Sequence, residues 1–236
     1  MIERWPEWSP ANGPVVVHCG EVHVFRARLA SCGGDLESFA ETLSSEERAR
    51  AARFAFVADK NRFVAAHGYL RALLGSCLAI EPREIAFERT PRGKPRLAAA
   101  HGAERLRFNM STSRDVALYA LSLDREVGVD VEYRDAAPVD DRLVAAALPE
   151  RMRAIVSATP DEGRNDAFYD CWTRVEACGK ALGSGIIDFY DEWLGRCTLF
   201  DCVPEPLYAA ACAVEGTSAT AVRHMLVPAE RRPSPR

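Results

Sequence analysis

Val127-Gly128-Val129-Asp130-Val131-Glu132, followed later by Trp172-Thr173-Arg174-Val175-Glu176-Ala177-Cys178-Gly179-Lys180-Ala181, decides how the rest of the chain is read. The alternating valines of the first run predict a strand, in which successive side chains point to opposite faces. Asp130 and Glu132 then project together, and Val127, Val129 and Val131 face the other way. The second run has helical spacing, so Trp172, Glu176 and Lys180 form one stripe. Each motif alone has an ordinary explanation. Asp-x-Glu suits a solvated strand edge, and an i,i+4 Glu–Lys pair on a helix surface is worth about 0.2–0.5 kcal/mol. Brought together, the three carboxylates Asp130, Glu132 and Glu176 repel one another unless a cation lies between them. All-oxygen ligation of that kind suits Mg²⁺ or Mn²⁺, with water and phosphate oxygens completing the shell.

The chain has 236 residues, room for one large domain or two of about 110–120 residues. With 48% apolar and 27% charged residues it has the composition of a globular protein. There is no run of about 18 apolar residues for a membrane span, and the N-terminus has no apolar signal core. A cytoplasmic location is the expectation. The eight cysteines form no Cys-x-x-Cys pair and no ligand spacing with histidine, so zinc is not expected and free thiols are. A net charge of −4 argues against non-specific nucleic-acid binding. Basic residues are nevertheless clustered: Arg48, Arg50, Arg53, Lys60, Arg62 and Arg71, then Arg89, Arg92, Lys94 and Arg96. Such clusters serve a phosphorylated ligand or an acidic partner, or simply form a solvated face.

Residues 14–28 read as one or two strands and 35–43 as a short helix. Ser44-Ser45-Glu46-Glu47 has the pattern of a helix N-cap with acids in the first turn. Phe63, His67, Leu70, Leu74 and Leu78 recur at helical spacing, predicting a long amphipathic helix from residue 59. Residues 85–87 read as a strand and Thr90-Pro91-Arg92-Gly93-Lys94-Pro95 as a turn. Another strand starts at Phe108. Residues 117–123 and 127–132, separated by Asp124-Arg125-Glu126, read as a β-hairpin. Helices are expected at 140–147, 150–157 and 168–182, with a loop over 160–165. Late strands are expected at 194–200, 209–214 and 221–226, and disorder at 228–236. Each half is thus a long helix with several short antiparallel strands, an α+β protein. The division expected is an N-terminal lobe over 1–115 and a C-terminal lobe over 116–227.

Four segments, in order, resemble the surfactin-type (Sfp-like) 4′-phosphopantetheinyl transferases. They are the helix Arg62-Phe-Val-Ala-Ala-His-Gly-Tyr-Leu-Arg71-Ala-Leu-Leu-Gly75, the turn Gly93-Lys94-Pro95, the run Phe108-Asn109-Met110-Ser111, and the pair of motifs quoted at the outset. The resemblance implies a pseudo-dimer of two similar lobes with coenzyme A in the cleft between them. It implies transfer of 4′-phosphopantetheine from coenzyme A to a serine of an acyl or peptidyl carrier protein, releasing adenosine 3′,5′-bisphosphate. Mg²⁺ (or Mn²⁺) would sit on Asp130, Glu132 and Glu176. Glu176 and Lys180 would be the catalytic pair. Arg53, His67, Arg71, Lys94, Pro95, Ser111 and Thr112 would meet coenzyme A, and a monomer is expected.

Three positions depart from the family pattern. Thr112 replaces a histidine that meets the pyrophosphate, His67 replaces an arginine, and Val175 replaces a lysine. Hydrogen bonds to charged groups are worth about 1.5–3 kcal/mol each, so their loss would weaken coenzyme A binding unless Arg71, Arg114 or Arg174 compensates. Besides the transferase, two other readings are therefore open: a repurposed cleft acting on another or a carrier-tethered ligand, and a non-catalytic carrier-protein binding module.

Overall fold

The computed structural model describes residues 8–10, 13–31, 35–183, 195–218 and 220–227. The elements run β1 (Ser9–Pro10), β2 (Glu21–Arg28), α1 (Leu36–Thr42), α2 (Ser45–Ala51), α3 (Val57–Leu78), β3 (Phe87–Arg89), β4 (Pro95–Leu97), β5 (Leu106–Ser113), β6 (Val116–Leu123) and β7 (Val127–Tyr133). They continue with α4 (Asp141–Ala147), α5 (Glu150–Ala158), α6 (Asp161–Leu182), β8 (Cys197–Cys202), β9 (Tyr208–Glu215) and β10 (Ala221–Leu226). The protein is α+β, with helices packed on largely antiparallel sheets.

Apolar residues on both faces of the main sheets produce a layered molecule. One sheet has the order β1-β10-β2-β6-β5, the other β7-β9-β8, and β3 pairs with β4 in a small ribbon. Val22 and Val24 of β2 and Val116, Leu118 and Ala120 of β6 point inward. They meet Val127, Val129 and Val131 of β7 and Ala210, Cys212 and Val214 of β9 in one buried cluster. The sheets therefore pack face to face. The opposite face of the first sheet (Phe25, Ala27, Ala117, Tyr119, Leu121) is covered by Phe63, Ala66, Leu70 and Leu74 of α3. The outer face of the second, including Ala211 and Ala213, is covered by Phe168, Cys171, Val175 and Cys178 of α6. Burial on two faces explains why β6 and β9 read as almost unbroken apolar runs rather than alternating ones.

Several expectations are corrected. The proposed hairpin of 117–123 and 127–132 does not form: β6 pairs with β2 and β5, and β7 pairs with β9. The connection is diverted by Arg125, whose guanidinium donates to the carbonyls of Glu215 and Gly216 and to Thr220 Oγ1. That draws the chain across to the second sheet. The loop expected over 160–165 is the start of α6, which begins at Asp161. Asp161 and Glu162 favour the positive end of that helix, so a polar stretch that resembles a loop is a solvated first turn. Conversely the Ser44 signal forms a full capping box with Glu47, and the long helix of the first half spans Val57–Leu78. β10 lies parallel to β2, carrying the end of the chain back into the first sheet. Residues 228–236, expected to be disordered, lie outside the described residues, as do 184–194 with the first part of the strand expected at 194–200.

Candidate active site

β7 and α6 build the acidic centre. Gly128, Asp130 and Glu132 lie on the face of β7 opposite its three valines, toward α6. Gly128 is what lets the helix come so close, since a Cβ there would stand 2.1 Å from the carbonyl oxygen of Ala177 and 2.4 Å from the nitrogen of Ala181. At that approach Lys180 Nζ donates to Asp130 Oδ1 at 2.6 Å and to Ser111 Oγ at 2.9 Å. Ser111 in turn donates to Asp130 Oδ1 at 2.9 Å.

β5 supplies the other wall. It and β7 are edge strands of different sheets, joined by side chains that recur at every second residue of β5. Asn109 Oδ1 accepts from the Val129 amide, Ser111 binds Asp130, and Ser113 Oγ donates to Glu132 Oε2 and accepts from the Tyr133 amide. The Trp172 side chain also hydrogen-bonds Glu132 and favours its charged form. The Trp172–Glu176–Lys180 stripe thus faces the two strand carboxylates.

Burial pushes the pKa of Asp130 up, opposed by Lys180 and by the hydrogen bond from Ser111. Glu132 and Glu176 are raised first by burial and then by the charge on Asp130. Asp130 is 3% exposed, and its Oδ2 has no hydrogen-bond partner among the described residues. A desolvated carboxylate with a spare oxygen beside two more carboxylates has the donor chemistry of a site for a hard divalent cation. The positions are not those of a closed shell, however. Among the described residues no three Asp, Glu, His or Cys side chains converge to hold a metal ion, and the cation on Asp130 is the Lys180 ammonium.

On the other side of β5 is a cavity of about 1170 Å³, walled by α2, α3, β3 and β5. Arg50, Arg62, Arg89 and Arg114 line it, with His67, Pro95 and Thr112. His67 stacks on Phe63 at 3.9 Å between ring centroids, and burial lowers its pKa, so it is neutral at pH 7. Thr112 is exposed to the cavity, whereas Ser111 points away from it, into the acidic centre. Arg71 reaches the cavity wall but is only 1% exposed. It is spent on Glu47 and on the carbonyls of Pro82 and Ile85, which makes it a structural tie between α2, α3 and the segment before β3. Lys94, expected at the nucleotide end of the ligand, is outside the lining and is engaged with Glu126, Val127 and Ala181. Arg53 is exposed and outside the lining. Val175 is buried in the core under α6, and Arg174 is held by Asp201 at 2.5 and 2.7 Å. Asn109 and Ser113 are not among the site residues to which the sequence points. The alternation through the Phe108-Asn109-Met110-Ser111 run was the available signal, but nothing local showed which strand it faced.

Residues 126–211 match the family described as the 4′-phosphopantetheinyl transferase superfamily, and residues 31–123 match the family described as 4′-phosphopantetheinyl transferase, N-terminal. The 4′-phosphopantetheinyl transferase HetI of a Nostoc species is 34% identical over 223 residues, 89% of this chain and 94% of its own. The chain belongs to the 4′-phosphopantetheinyl transferase superfamily. The L-aminoadipate-semialdehyde dehydrogenase-phosphopantetheinyl transferase of Xenopus laevis is 32% identical, over 66% of this chain and 56% of its own. The 4′-phosphopantetheinyl transferase psf-1 of Bacillus pumilus is 28% identical, over 64% and 62%. The superfamily transfers 4′-phosphopantetheine to carrier proteins, with coenzyme A as co-substrate and typically with Mg²⁺. Among the described residues no helix is long and apolar enough to cross a membrane.

Proposed function

We propose that this chain transfers 4′-phosphopantetheine from coenzyme A to the serine of an acyl or peptidyl carrier protein at the Asp130–Glu132–Glu176–Lys180 centre. The nucleotide end of coenzyme A lies in the adjoining cavity. The observation that carries the reading is the pair of buried Asp130 and Lys180, with Glu132 and Glu176 beside it, on the other side of β5 from a large cavity lined by arginines. Phosphoryl transfer is mainly positioning and charge neutralisation, and this arrangement supplies both.

Asp130, Glu132 and Glu176 would hold Mg²⁺, which when bound supplies charge neutralisation on the pyrophosphate. The protein's own groups do the rest. Arg50 and Arg89 offer the phosphates cations from the cavity wall, in place of the charge that Thr112 and neutral His67 do not bring, while Arg62 and Arg114 beside them are paired with Asp59, Asp115 and Asp135. Ser113 and Trp172 orient Glu132. Glu176, its pKa raised, takes the proton of the attacking serine. The serine oxygen bonds to phosphorus as the bond from phosphorus to the bridging oxygen breaks, and adenosine 3′,5′-bisphosphate leaves with that oxygen. Lys180 stays hydrogen-bonded to Asp130 and Ser111 beside the other carboxylates. The chain acts as a monomer, its two lobes supplying both walls of the site, and works in the cytoplasm.

The test is mass spectrometry of an apo carrier protein incubated with the chain, coenzyme A and Mg²⁺, in parallel with Glu176→Ala. The expected result is a gain of one phosphopantetheine mass, with a rate lowered at least about 100-fold in the variant. No gain on any of several carrier proteins would overturn the reading. The uncharged Thr112 and buried Val175 would then favour a repurposed cleft.

A further inference from the structure

The turn between β3 and β4 grips the end of the helix that carries Glu176 and Lys180. Lys94 Nζ donates to Glu126 Oε2 at 2.6 Å, to the Val127 carbonyl at 3.1 Å and to the Ala181 carbonyl at 3.1 Å. An ammonium has three donors, so all are used. Its side chain is 11% exposed. From the same turn Arg92 donates to the Leu182 carbonyl at 3.2 Å.

The Ala181 and Leu182 carbonyls belong to the last turn of α6, where helical partners run out and the helix dipole is negative. Gly183 ends the helix in the left-handed conformation at φ 64°, and the two cations of the turn satisfy carbonyls that its cap does not. The other end of the clamp is equally fixed. Glu126 immediately precedes β7 and is also paired with Arg107 of β5 at 2.9 Å. The turn itself is closed by Gly93 N to Thr90 O, Thr90 N to Lys94 O and Lys94 N to Thr90 Oγ1. One ammonium therefore ties together the β3–β4 turn, the entry to β7 and the exit of α6.

We propose that Lys94 is a positioning residue: its ammonium clamps the C-terminal end of α6 onto the start of β7, and so sets where Lys180 and Glu176 stand relative to Asp130 and Glu132, rather than binding a phosphate of coenzyme A. The inference rests on the proposed reading of that centre as the transfer site. Recruiting Lys94 to a phosphate instead would strand the carboxylate of Glu126 and two backbone carbonyls, each of which loses a charge-assisted bond.

The experiment compares wild type, Lys94→Met and Lys94→Arg in three readouts. They are kcat and KM for coenzyme A with an apo carrier protein, the Kd of coenzyme A by calorimetry, and amide hydrogen exchange at residues 179–183. Arg92→Ala serves as a second, milder variant should Lys94→Met fail to fold. In Lys94→Met, kcat is expected to fall about tenfold or more while KM and Kd change less than about twofold. Exchange in the last turn of α6 is expected to quicken about tenfold, with Lys94→Arg restoring most of both losses and Arg92→Ala showing the same pattern weakly. A rise in the Kd of coenzyme A with kcat kept would overturn the proposal and return Lys94 to the ligand. Unchanged exchange with unchanged kcat would overturn it as well. An inactive wild-type chain would overturn the transferase reading instead, and the exchange readout would still decide whether Lys94 holds the helix end.

Discussion

Asp130 is held by opposing terms. Burial disfavours its charge, while Lys180 and Ser111 support it. Breaking a buried pair from one side costs more than the pair contributes, because the remaining charge loses its partner. In Lys180→Met the carboxylate of Asp130 loses its ammonium partner and keeps the Ser111 hydrogen bond on Oδ1. We expect a loss of unfolding free energy on the order of 3 kcal/mol without metal. Excess Mg²⁺ should return more stability to this variant than to wild type, because bound cation stabilises the folded state by mass action and meets an uncompensated carboxylate. Urea unfolding of both proteins with EDTA and with Mg²⁺ measures this, and equal midpoints in EDTA would refute it. The sequence alone does not reveal this partnership: helical spacing makes Lys180 a neighbour of Glu176, and only the folded chain sets it on Asp130.

At the scale of elements, the contact that matters is β7 against α6. Gly128 is followed at once by valine and aspartate in a strand that otherwise favours β-branched residues, and its missing side chain is filled by the helix backbone. Gly128→Ala would press a methyl group against the carbonyl of Ala177 and the amide of Ala181. Backbone cannot rotate aside as a side chain can, so α6 must move outward and carry Glu176 and Lys180 with it. The expected cost is about 1–3 kcal/mol, and a displacement near 1 Å can cost up to about 100-fold in rate. Thermal unfolding and kcat measured together test this. A variant with normal stability and normal turnover would show that the close approach is not needed. The periods of β7 and α6 were legible in sequence because they are strong and long. The misplaced hairpin shows the limit of that signal: alternation tells which way side chains point, not which strand lies alongside. The edge-to-edge stitching by Asn109, Ser111 and Ser113 lay beyond it for the same reason. So did the first turns of α6, whose charged residues are bound to other elements, Arg164 to Asp141 and Asp166 to Arg134.

Across the whole molecule, the first sheet draws strands from both sides of the division expected near residue 115. β6 lies in the first sheet, and β10 returns the end of the chain to it beside β2. His224 on β10 is 8% exposed and packs against Trp8 at 5.6 Å, edge to face. Burial lowers its pKa to about 4, and burial lowers His23 and His67 too. The unfolded chain holds these protons from near pH 6.5, the usual histidine value, while the folded chain takes them up only at lower pH. In that window the unfolded state binds more protons, so stability is full above it and is lost as pH falls, by up to about 1.4 kcal/mol per pH unit for each histidine. Asp130, Glu132 and Glu176 act in the opposite sense. Their raised values make the folded state the better proton binder just above the ordinary carboxylate range, so a wild-type pH profile mixes both effects. His224→Gln isolates one of them, because glutamine keeps a polar, neutral side chain on β10. Urea midpoints of wild type and His224→Gln at pH 7, 5.5 and 4.5 should therefore diverge, with the variant losing less stability on acidification. Parallel profiles would mean that β10 opens before His224 is protonated, and that the strand closing the first sheet is not where acid enters the fold.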